Sequence, residues 1–264
     1  MLYSFVASAA VIAAATIATS SAAPMPTGTW PTSKGNVKYD KPYVVKPGKP
    51  FDGGMKTYER SNVQCTGQNE GDKEGAVFIV EPGAILKNVI IGKAQSEGVH
   101  CEESGCTIEN VWWDDVCEDA LSIKGGSASS VSNVIGGGAR SAKDKIIQHN
   151  GYGTVNIDGF YAQDFGKLYR SCGTCKTKIQ RKVSVSNVYA VNPSVGIVTV
   201  NKNYGDEAKL SNIKIKTSKK ISDLDVCGWS QAVTSGEPGW LGHGPSSPLC
   251  QYAESTVQYI NVGK

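Results

Sequence analysis

The sequence predicts an all-β chain folded as a parallel β-helix, and three observations support that prediction. Short runs of alternating apolar and polar residues recur from residue 76 onward, and this period of two is typical of β-strands. Each run contains or ends near an anchor asparagine or glycine, and the anchors are 22 to 28 residues apart, a spacing typical of stacked repeats. No stretch among them has the periodicity of a long amphipathic helix. The anchors are Asn88, Asn110, Asn133, Gly159, Asn187 and Asn212.

A β-sandwich is the competing prediction for a chain rich in short strands. Sandwiches place turns about every 8–12 residues, whereas the spacing here repeats at the length of a whole coil. The coils of a β-helix stack at roughly 4.8 Å, and their inward side chains form apolar ladders. The repeat therefore favours the β-helix.

Changes in composition divide the chain into four predicted segments. Residues 1–23 are apolar and small, as in a secretory signal peptide. Residues 24–50 hold several prolines and predict an N-terminal arm and cap. Residues 51–217 carry the repeat and predict the β-helix. Residues 218–264 depart from it and predict a C-terminal tail that packs on the stack or caps its end, because an open end exposes a strand edge.

The first segment also predicts the compartment. Its alanine and serine patterns fit cleavage near Ala22 or Ala23, so we expect a secreted, extracellular protein with no membrane contact after cleavage. A membrane anchor is the alternative, but the run is rich in Ala, Thr and Ser rather than Leu. The remaining chain has eight cysteines, an even number that predicts disulfides in an oxidising compartment. Their pairing stays open at this point.

The charge balance narrows the class of partner. The formal net charge is +3, without any dense block of Lys and Arg. Nucleic-acid binding usually needs a stronger basic face, so we expect no nucleic-acid partner. A weakly basic protein still suits an acidic polymer if its cations converge on one groove.

Carboxylates occur at matching positions of two neighbouring coils. Glu97 lies nine residues after Asn88, and Asp119 lies nine residues after Asn110. Residues at equal offset stack in a β-helix, so these side chains should lie on one face, roughly one strand spacing apart. Two carboxylates that close repel each other unless a cation lies between them.

Calcium is the cation that this acidic group predicts. Ca²⁺ takes about six to eight hard oxygen ligands in irregular geometry, and no His/Cys set accompanies the carboxylates to suggest zinc. The alternative is that these residues form a solvated acidic turn. The predicted metal ligands are Glu97, Glu118, Asp119 and Asp115.

Lysine and arginine residues occur at similar distances from the anchor residues in the next coils. Lys145 lies twelve residues after Asn133, and Lys167 and Arg170 lie eight and eleven after Gly159. Such a groove suits a polymer of uronic acids, because ammonium and guanidinium groups bind carboxylates. A metal at the C6 carboxylate acidifies the C5 proton, a base removes this proton, and the C4 oxygen leaves. Lys145 or Arg170 has to be partly neutral for that role, so we expect an alkaline optimum.

The three histidines are not predicted to be catalytic. His100 and His149 lie in or after strand-like segments, where a hydrogen-bonded scaffold histidine is the commoner case. His243 lies in a Gly/Pro-rich tail and carries no clear signal.

Four motifs resemble those of a known family. They are EGVHC (97–101), VWWDDVCEDALSIKGG (111–126), AKDKIIQHNG (142–151) and DFGKLYRSCG (164–173). In this order they resemble the pectate lyases of polysaccharide lyase family three, over residues 54–250. The resemblance implies a right-handed single-stranded parallel β-helix. It also implies Ca²⁺-dependent β-elimination of polygalacturonate.

Carried over by position, the resemblance also implies roles for particular residues. The family's calcium carboxylates fall on Glu97, Glu118 and Asp119, with Glu97 standing where the family often has Asp. The family's catalytic cations fall on Lys145, Lys167 and Arg170. Lys145 is the predicted base and Arg170 the second candidate. Substrate binding is predicted for Lys167, Arg170 and Lys124, in a protein that we expect to be a monomer.

Two other functions stay open from the sequence. A polygalacturonase-type hydrolase on the same fold would use two carboxylates as acid and base, with water as nucleophile. Asp115, Glu118 and Asp119 could supply them. A non-catalytic wall-binding or elicitor protein would keep the fold and bind polymer without turnover. The complete set of three cations argues against this last function.

Overall fold

The computed structural model describes residues 22–67, 71–93 and 95–263. The predicted signal peptide lies outside the described residues, except for Ala22 and Ala23. Within the described ranges there are 18 β-strands and four short 3₁₀-helices. None of the helices described is long and apolar enough to span a membrane.

The strands are β1 (Asn36–Tyr39), β2 (Tyr43–Val45), β3 (Phe51–Arg60), β4 (Phe78–Val80), β5 (Ile85–Ile91), β6 (Val99–Cys101), β7 (Thr107–Trp113), β8 (Leu121–Ile123), β9 (Val131–Ile135), β10 (Gly138–His149), β11 (Gly153–Asp158), β12 (Tyr161–Ser171), β13 (Arg181–Asn201), β14 (Glu207–Thr217), β15 (Asp225–Gln231), β16 (Gly239–His243), β17 (Cys250–Gln251) and β18 (Val257–Asn261). The 3₁₀-helices are Lys73–Gly75, Lys202–Tyr204, Ile221–Asp223 and Glu254–Thr256.

These strands form a β-solenoid of about six turns, which confirms the predicted parallel β-helix. Successive coils pair in parallel, and one face runs through β2, β4, β6, β8 and the second halves of β10, β12 and β13 to β15. We call this series the site face, because Glu97, Asp119, Lys145 and Lys167 lie where the chain enters it in successive coils. Among the described strands, β16 is antiparallel to β15 and forms a hairpin at the end of the site face.

Aliphatic side chains stack inside the coils, as the alternating pattern predicts. One ladder passes through six successive coils with a buried residue in each. Burying each such side chain stabilises the fold by about 1.5–3 kcal/mol, so the ladder is a main source of stability. Its members are Leu86, Ile108, Val134, Ile157, Val185 and Leu210.

The repeat anchors are the corners of the coils. Asn88, Asn110, Asn187 and Asn212 all have φ between 51° and 55°, and Gly159 has φ 72°. Asparagine and glycine tolerate this left-handed conformation better than other residues, which explains why they recur at this point of each coil.

The corner asparagines also bond to one another between coils. Asn110 Nδ2 donates to Asn88 Oδ1 at 2.8 Å, and Asn212 Nδ2 donates to Asn187 Oδ1 at 2.6 Å. Asn133 is the exception among the anchors, because it is not one of the described residues with positive φ and it pairs in regular register with Asn156 of β11. In that coil Gly136 and Gly137 follow the strand, with φ 64° and 81°.

The two terminal segments are joined to the coil stack. In the arm, Trp30 packs edge-on against Trp112 with ring centroids 4.9 Å apart, and Arg140 Cζ lies 4.3 Å from the Trp30 ring centre. Strands β1 and β2 already pair in parallel with later coils. In the tail, β15, β17 and β18 pair in parallel with β13 and β14. The boundaries at residues 50 and 217 stay predictions, and parallel pairing crosses both.

All eight cysteines of this part of the chain are paired, which confirms the prediction of disulfides and settles their connectivity. The pairs are Cys65–Cys117, Cys101–Cys106, Cys172–Cys175 and Cys227–Cys250. Cys65–Cys117 joins the loop after β3 to the loop that carries the acidic site residues.

His149 is a scaffold residue inside the coils. Its Nδ1 lies 2.8 Å from Tyr169 Oη, and its Nε2 lies 3.3 Å from the carbonyl oxygen of Tyr152. Burial, and secondly the charge of Arg181, lower the pKa of His149 from 6.5 to about 3. The imidazole is therefore neutral in the folded protein at the pH values where an unfolded chain would protonate it.

This histidine predicts a loss of stability in acid. Above pH 6.5 it is neutral in both states, and below that pH only the unfolded chain takes up a proton, until the pH reaches about 3. The free energy of unfolding should then fall by about 1.4 kcal/mol per pH unit from this residue alone. Urea unfolding at several pH values measures the slope. His149→Gln should flatten it, and the exposed His243→Gln should not; equal slopes in all three proteins would contradict the assignment.

Candidate functional site

The site lies where the chain enters the site face in successive coils. Strand register aligns Val99 with Leu121 and Leu121 with Ile147, so the residues two positions earlier are Glu97, Asp119 and Lys145. The column from Glu97 to Asp119 is the one that the repeat phase predicts. Lys145 then pairs in register with Lys167 on the next coil.

A buried ion cluster occupies the middle of this column. Lys145 Nζ lies 2.7 Å from Glu118 Oε1 and 2.9 Å from Asp119 Oδ1. The Ser122 hydroxyl donates to Asp119 Oδ2 at 3.1 Å and holds the carboxylate in place. All three charged residues are buried, with Lys145 6% exposed, so their charges interact strongly.

Two carboxylates share one ammonium in this cluster, which leaves a negative charge uncompensated. Burial, opposed by Lys145 but reinforced by the charge of Glu118, raises the pKa of Asp119 well above its usual range. Burial alone would lower the pKa of Lys145, but the charges of Asp119 and Glu118 outweigh it and raise this pKa. The direction is opposite to the partly neutral Lys145 that the sequence argument requires.

The donor chemistry of the cluster fits a hard divalent cation. Glu118 Oε2 is buried and accepts no hydrogen bond from any residue that the structure describes. A further positive charge beside it would therefore compensate the excess negative charge. Within the described ranges no group of three or more His, Cys, Asp or Glu residues is arranged to hold a metal. Glu118 and Asp119 would therefore supply only part of a coordination sphere, and the other oxygens would have to come from water or ligand.

Glu97 stands in the predicted column, but its oxygens face other partners. Its Oε2 lies 3.0 Å from His100 Nε2, and its Oε1 accepts the Gly71 N–H at 2.9 Å. His100 Nδ1 in turn lies 2.8 Å from Glu102 Oε1. Glu97 is 1% exposed, so it lies inside the protein wall rather than on the surface of the cleft.

The two remaining predicted residues lie apart from the cluster. Asp115 is exposed, and its neighbour Asp114 is the carboxylate that binds Arg140. Lys124 follows β8 and is partly buried, and its carbonyl oxygen accepts the Ser104 hydroxyl at 3.0 Å. Neither Asp115 nor Lys124 lines the cleft formed by the described residues.

Asp144 holds the cations together, and the sequence argument missed it. Its Oδ1 lies 2.8 Å from Lys167 Nζ, and its Oδ2 lies 3.5 Å from Lys145 Nζ and 3.6 Å from Arg170 Nη1. Burial raises the pKa of Asp144, but the hydrogen bond from Lys167 and the charges of Lys167, Lys145 and Arg170 lower it further, so the net shift is downward.

Strand geometry explains why Asp144 escaped prediction. Successive side chains on a regular strand face opposite sides, so a residue next to Lys145 should point away from the site. The register between β10 and β12 shifts between Ala142 and Lys145, which marks a β-bulge. Bulges re-aim side chains, and here Asp144 and Lys145 both reach the cations. The sequence feature that could have identified Asp144 as a site residue was its position within the AKDKIIQHNG motif.

These groups open onto one cleft of about 790 Å³. Glu118, Asp144, Lys145, Lys167 and Arg170 line one part of it. A smaller cavity of about 230 Å³ adjoins the cluster and reaches Asp119. A long anion could therefore lie across the cations and touch the acidic pair at the same time.

Comparison with known proteins points to one family. The family model described as "Pectate lyase" matches residues 27–234. The chain is 51% identical over 224 residues to "Probable pectate lyase D" of Aspergillus fumigatus, covering 85% of this chain and 89% of that protein. It is 52% identical over 224 residues to "Pectate lyase E" of Emericella nidulans, covering 85% and 84%.

Solved structures give the same result at the level of the fold. The catalytic domain of pectate lyase PelI from Erwinia chrysanthemi matches with a TM-score of 0.67 at 30% identity, covering 86% of this chain and 98% of that domain. PelI in complex with tetragalacturonic acid matches with a TM-score of 0.65 at 30% identity, covering 85% of this chain and 69% of that one.

Proposed function

The chain belongs to the pectate lyase family and is a pectate lyase, and we propose that it cleaves de-esterified pectin by calcium-dependent β-elimination. The products would be 4,5-unsaturated oligogalacturonides. The observation that carries the proposal is the buried pair Glu118 and Asp119, bridged by Lys145 and open to the same cleft as Lys167 and Arg170. The binding of tetragalacturonic acid by the related PelI supports polygalacturonate as substrate.

Glu118 and Asp119 would hold the calcium ion, because they combine buried negative charge with an unpaired oxygen. Glu97 and Asp115 stay predicted ligands, the first behind the cluster and the second outside it. Bound calcium would withdraw charge from the C6 carboxylate of the substrate and so make its C5 proton more acidic.

The cations of the cleft have two further roles, which are substrate binding and removal of the C5 proton. Arg170 and Lys167 bind carboxylates of the polymer, and Lys124 stays a predicted third contact. Lys145 accepts the C5 proton through Nζ, the C5 electron pair forms the C4=C5 double bond, and the C4–O4 bond breaks. The leaving O4 takes a proton from solvent. Lys145 can act only after its ammonium has lost a proton, which alkaline pH favours. Arg170 is the second candidate base.

Ultraviolet absorbance during incubation with polygalacturonate tests this function. At alkaline pH we expect absorbance of the unsaturated product to rise with added Ca²⁺ and to stop when a chelator is added, because the acidic pair lacks its cation. Restoring Ca²⁺ after chelation is the control for irreversible damage. New reducing ends without absorbance would indicate the polygalacturonase-type hydrolase, and neither signal would indicate the wall-binding or elicitor protein.

We also propose that the protein is secreted and acts outside the cell as a monomer. The signal-like residues 1–23 and four disulfides support secretion. Ala23 N–H donates to Asp158 Oδ2 at 2.6 Å, and Asp158 Oδ1 accepts the Ser186 hydroxyl at 2.7 Å. A new α-ammonium group at Ala23 would strengthen the first of these bonds.

The bond at Ala23 predicts cleavage between Ala22 and Ala23, one residue earlier than the 1–23 boundary. Mass spectrometry of the intact secreted protein should give a mature chain that begins at Ala23. A chain that begins at Pro24 would contradict this site, and an uncleaved cell-associated chain would contradict secretion.

A further inference from the structure

The cleft continues beyond the cations to an aromatic surface on the C-terminal hairpin. Register aligns Arg170 with Thr199 and Thr199 with Gly228. Two strand spacings separate Arg170 from Gly228, which is roughly 10 Å along the stack. Trp240 of β16 covers Gly228 and lines the same cleft.

Part of the Trp240 ring packs closely over Gly228, and part of it is exposed to solvent. A Cβ atom on Gly228 would lie 2.0 Å from Trp240 Cη2, so only glycine leaves room for the ring at this point. Trp240 nevertheless remains 47% exposed. A large indole surface that is fixed in place and open to a cleft is suited to a flat apolar contact with a ligand.

The Trp240 end of the cleft has carboxylates but no Lys or Arg among its described lining residues, whereas Lys145, Lys167 and Arg170 line the catalytic end. Lys167 aligns with Gly196, and Gly196 aligns with Asp225, so a carboxylate follows in the column of the cations. Asp225 Oδ1 lies 3.0 Å from His243 Nδ1. Glu237 is exposed and lines the same cleft as Trp240. A galacturonate ring with a free carboxylate would be repelled by Asp225 and Glu237, whereas an esterified ring would not.

We propose that the Trp240 end of the cleft binds a methyl-esterified galacturonate ring, stacked on the indole beside Glu237. The apolar C–H face of the sugar lies on Trp240, and the ester places no charge near the two carboxylates. The ring at Lys145 keeps its free carboxylate. The preferred substrate is therefore pectin in which free and esterified rings occur close together. This inference rests on the proposed lyase function.

Two variants compared on two substrates test the proposal. The substrates are fully de-esterified polygalacturonate and pectin of intermediate methyl esterification, and the readout is kcat/KM from unsaturated product. Trp240→Ala should lower kcat/KM about tenfold on the esterified pectin and clearly less on polygalacturonate. Glu237→Gln should raise kcat/KM about threefold on polygalacturonate, with little change on the esterified pectin, because a repulsive charge is removed. This gain should shrink at high salt.

Controls separate this idea from general effects of the hairpin. Leu241 is an exposed neighbour of Trp240 that does not line the described cleft, so Leu241→Ala should leave both values unchanged. Trp240→Phe keeps a ring and should retain most activity on the esterified pectin if Trp240→Ala fails to fold. Equal changes on both substrates, or none, would overturn the proposal. Absence of unsaturated product from both substrates with wild-type protein would instead overturn the lyase function.

Discussion

Replacing Lys145 by alanine should lower kcat on polygalacturonate by about 1,000-fold, the loss typical of removing a general base. Lys145 Nζ is the buried basic atom at the centre of the cluster, within 2.9 Å of both Glu118 and Asp119. Initial rates from ultraviolet absorbance at saturating calcium and substrate measure the loss. Because the other cations remain in Lys145→Ala, KM should change much less than kcat.

Folding has to be measured beside activity for this variant. Removing the ammonium leaves two buried carboxylates without their partner, which costs about 3–5 kcal/mol when no other cation is present. Unfolding with and without calcium shows how much of that cost a bound cation recovers. Lys145→Arg keeps the charge and should fold as the wild type but have much lower activity, because a guanidinium in contact with the two buried carboxylates Glu118 and Asp119 stays protonated.

Lys143→Ala is the matched control, because Lys143 is exposed on the same strand, two residues earlier. It should leave kcat unchanged. Activity above about a tenth of wild type in a folded Lys145→Ala protein would remove Lys145 from the role of base. Arg170→Lys would then be the next variant, since Arg170 is the second candidate.

Asp119→Asn should weaken calcium binding at least about 100-fold, because an ionic ligand at contact distance contributes several kcal/mol even at an effective dielectric near 20. Titration calorimetry measures the affinity, and the calcium concentration for half-maximal activity should rise in parallel. Asn keeps the shape of the side chain and can still accept the hydrogen bond from Ser122. The loss therefore reports the charge.

The same variant should have the opposite effect on the calcium-free protein. Burial raises the pKa of Asp119, so its contribution to stability is present in acid and is lost as the pH rises through the raised value. At alkaline pH, Asp119→Asn removes that unfavourable buried charge, and the free energy of unfolding without calcium should not fall. If Asp119→Asn lowers the calcium affinity while the calcium-free protein stays equally stable or becomes more stable, Asp119 belongs to a calcium-binding site. A structural ion pair would instead lose stability when its charge is removed.

Asp115→Asn separates the predicted ligand from the observed cluster. Asp115 lies only four residues before Asp119, but it is exposed and does not line the described cleft. We expect the calcium affinity of the Asp115→Asn variant to equal that of the wild type within about twofold, because exposed charges are largely screened. A loss as large as that of Asp119→Asn would return Asp115 to the ligand set, and no loss in either variant would contradict the calcium site.

The coil repeat was open to prediction because it depends on local backbone geometry. A left-handed corner in each coil favours asparagine or glycine, so Asn88, Asn110, Asn187 and Asn212 recur in the sequence at coil spacing. Asn133 has the same residue type but is not among the described residues with positive φ, because Gly136 and Gly137 form the corner in that coil. Residue type alone cannot distinguish the two cases.

The phase of the repeat also placed Glu97 and Asp119 in one column, because both lie nine residues after their anchor and parallel register carries equal offsets to equal positions. Lys145 and Lys167 have offsets of twelve and eight, and the strand register is what shows that they continue this column. The phase could not say where each side chain points. Glu97 turns to His100, which lies three residues later and is equally buried. This contact depends on a rotamer and on the packing of the wall, and neither has a periodic signal.

The sequence by itself determined the parallel β-helix, because the repeat depends on residue types at regular spacing, and it predicted disulfides from an even number of cysteines. Its four motifs identified the family by resemblance, which the comparisons confirm. Only the tertiary structure decided that Asp144 joins the cations, because a β-bulge breaks the alternation of β10 there. Only it decided that Trp240 and Glu237 reach the same cleft, because a hairpin outside the repeat folds back over Gly228. Contacts between residues far apart in the chain follow from the path of the backbone, and local periodicity does not encode that path.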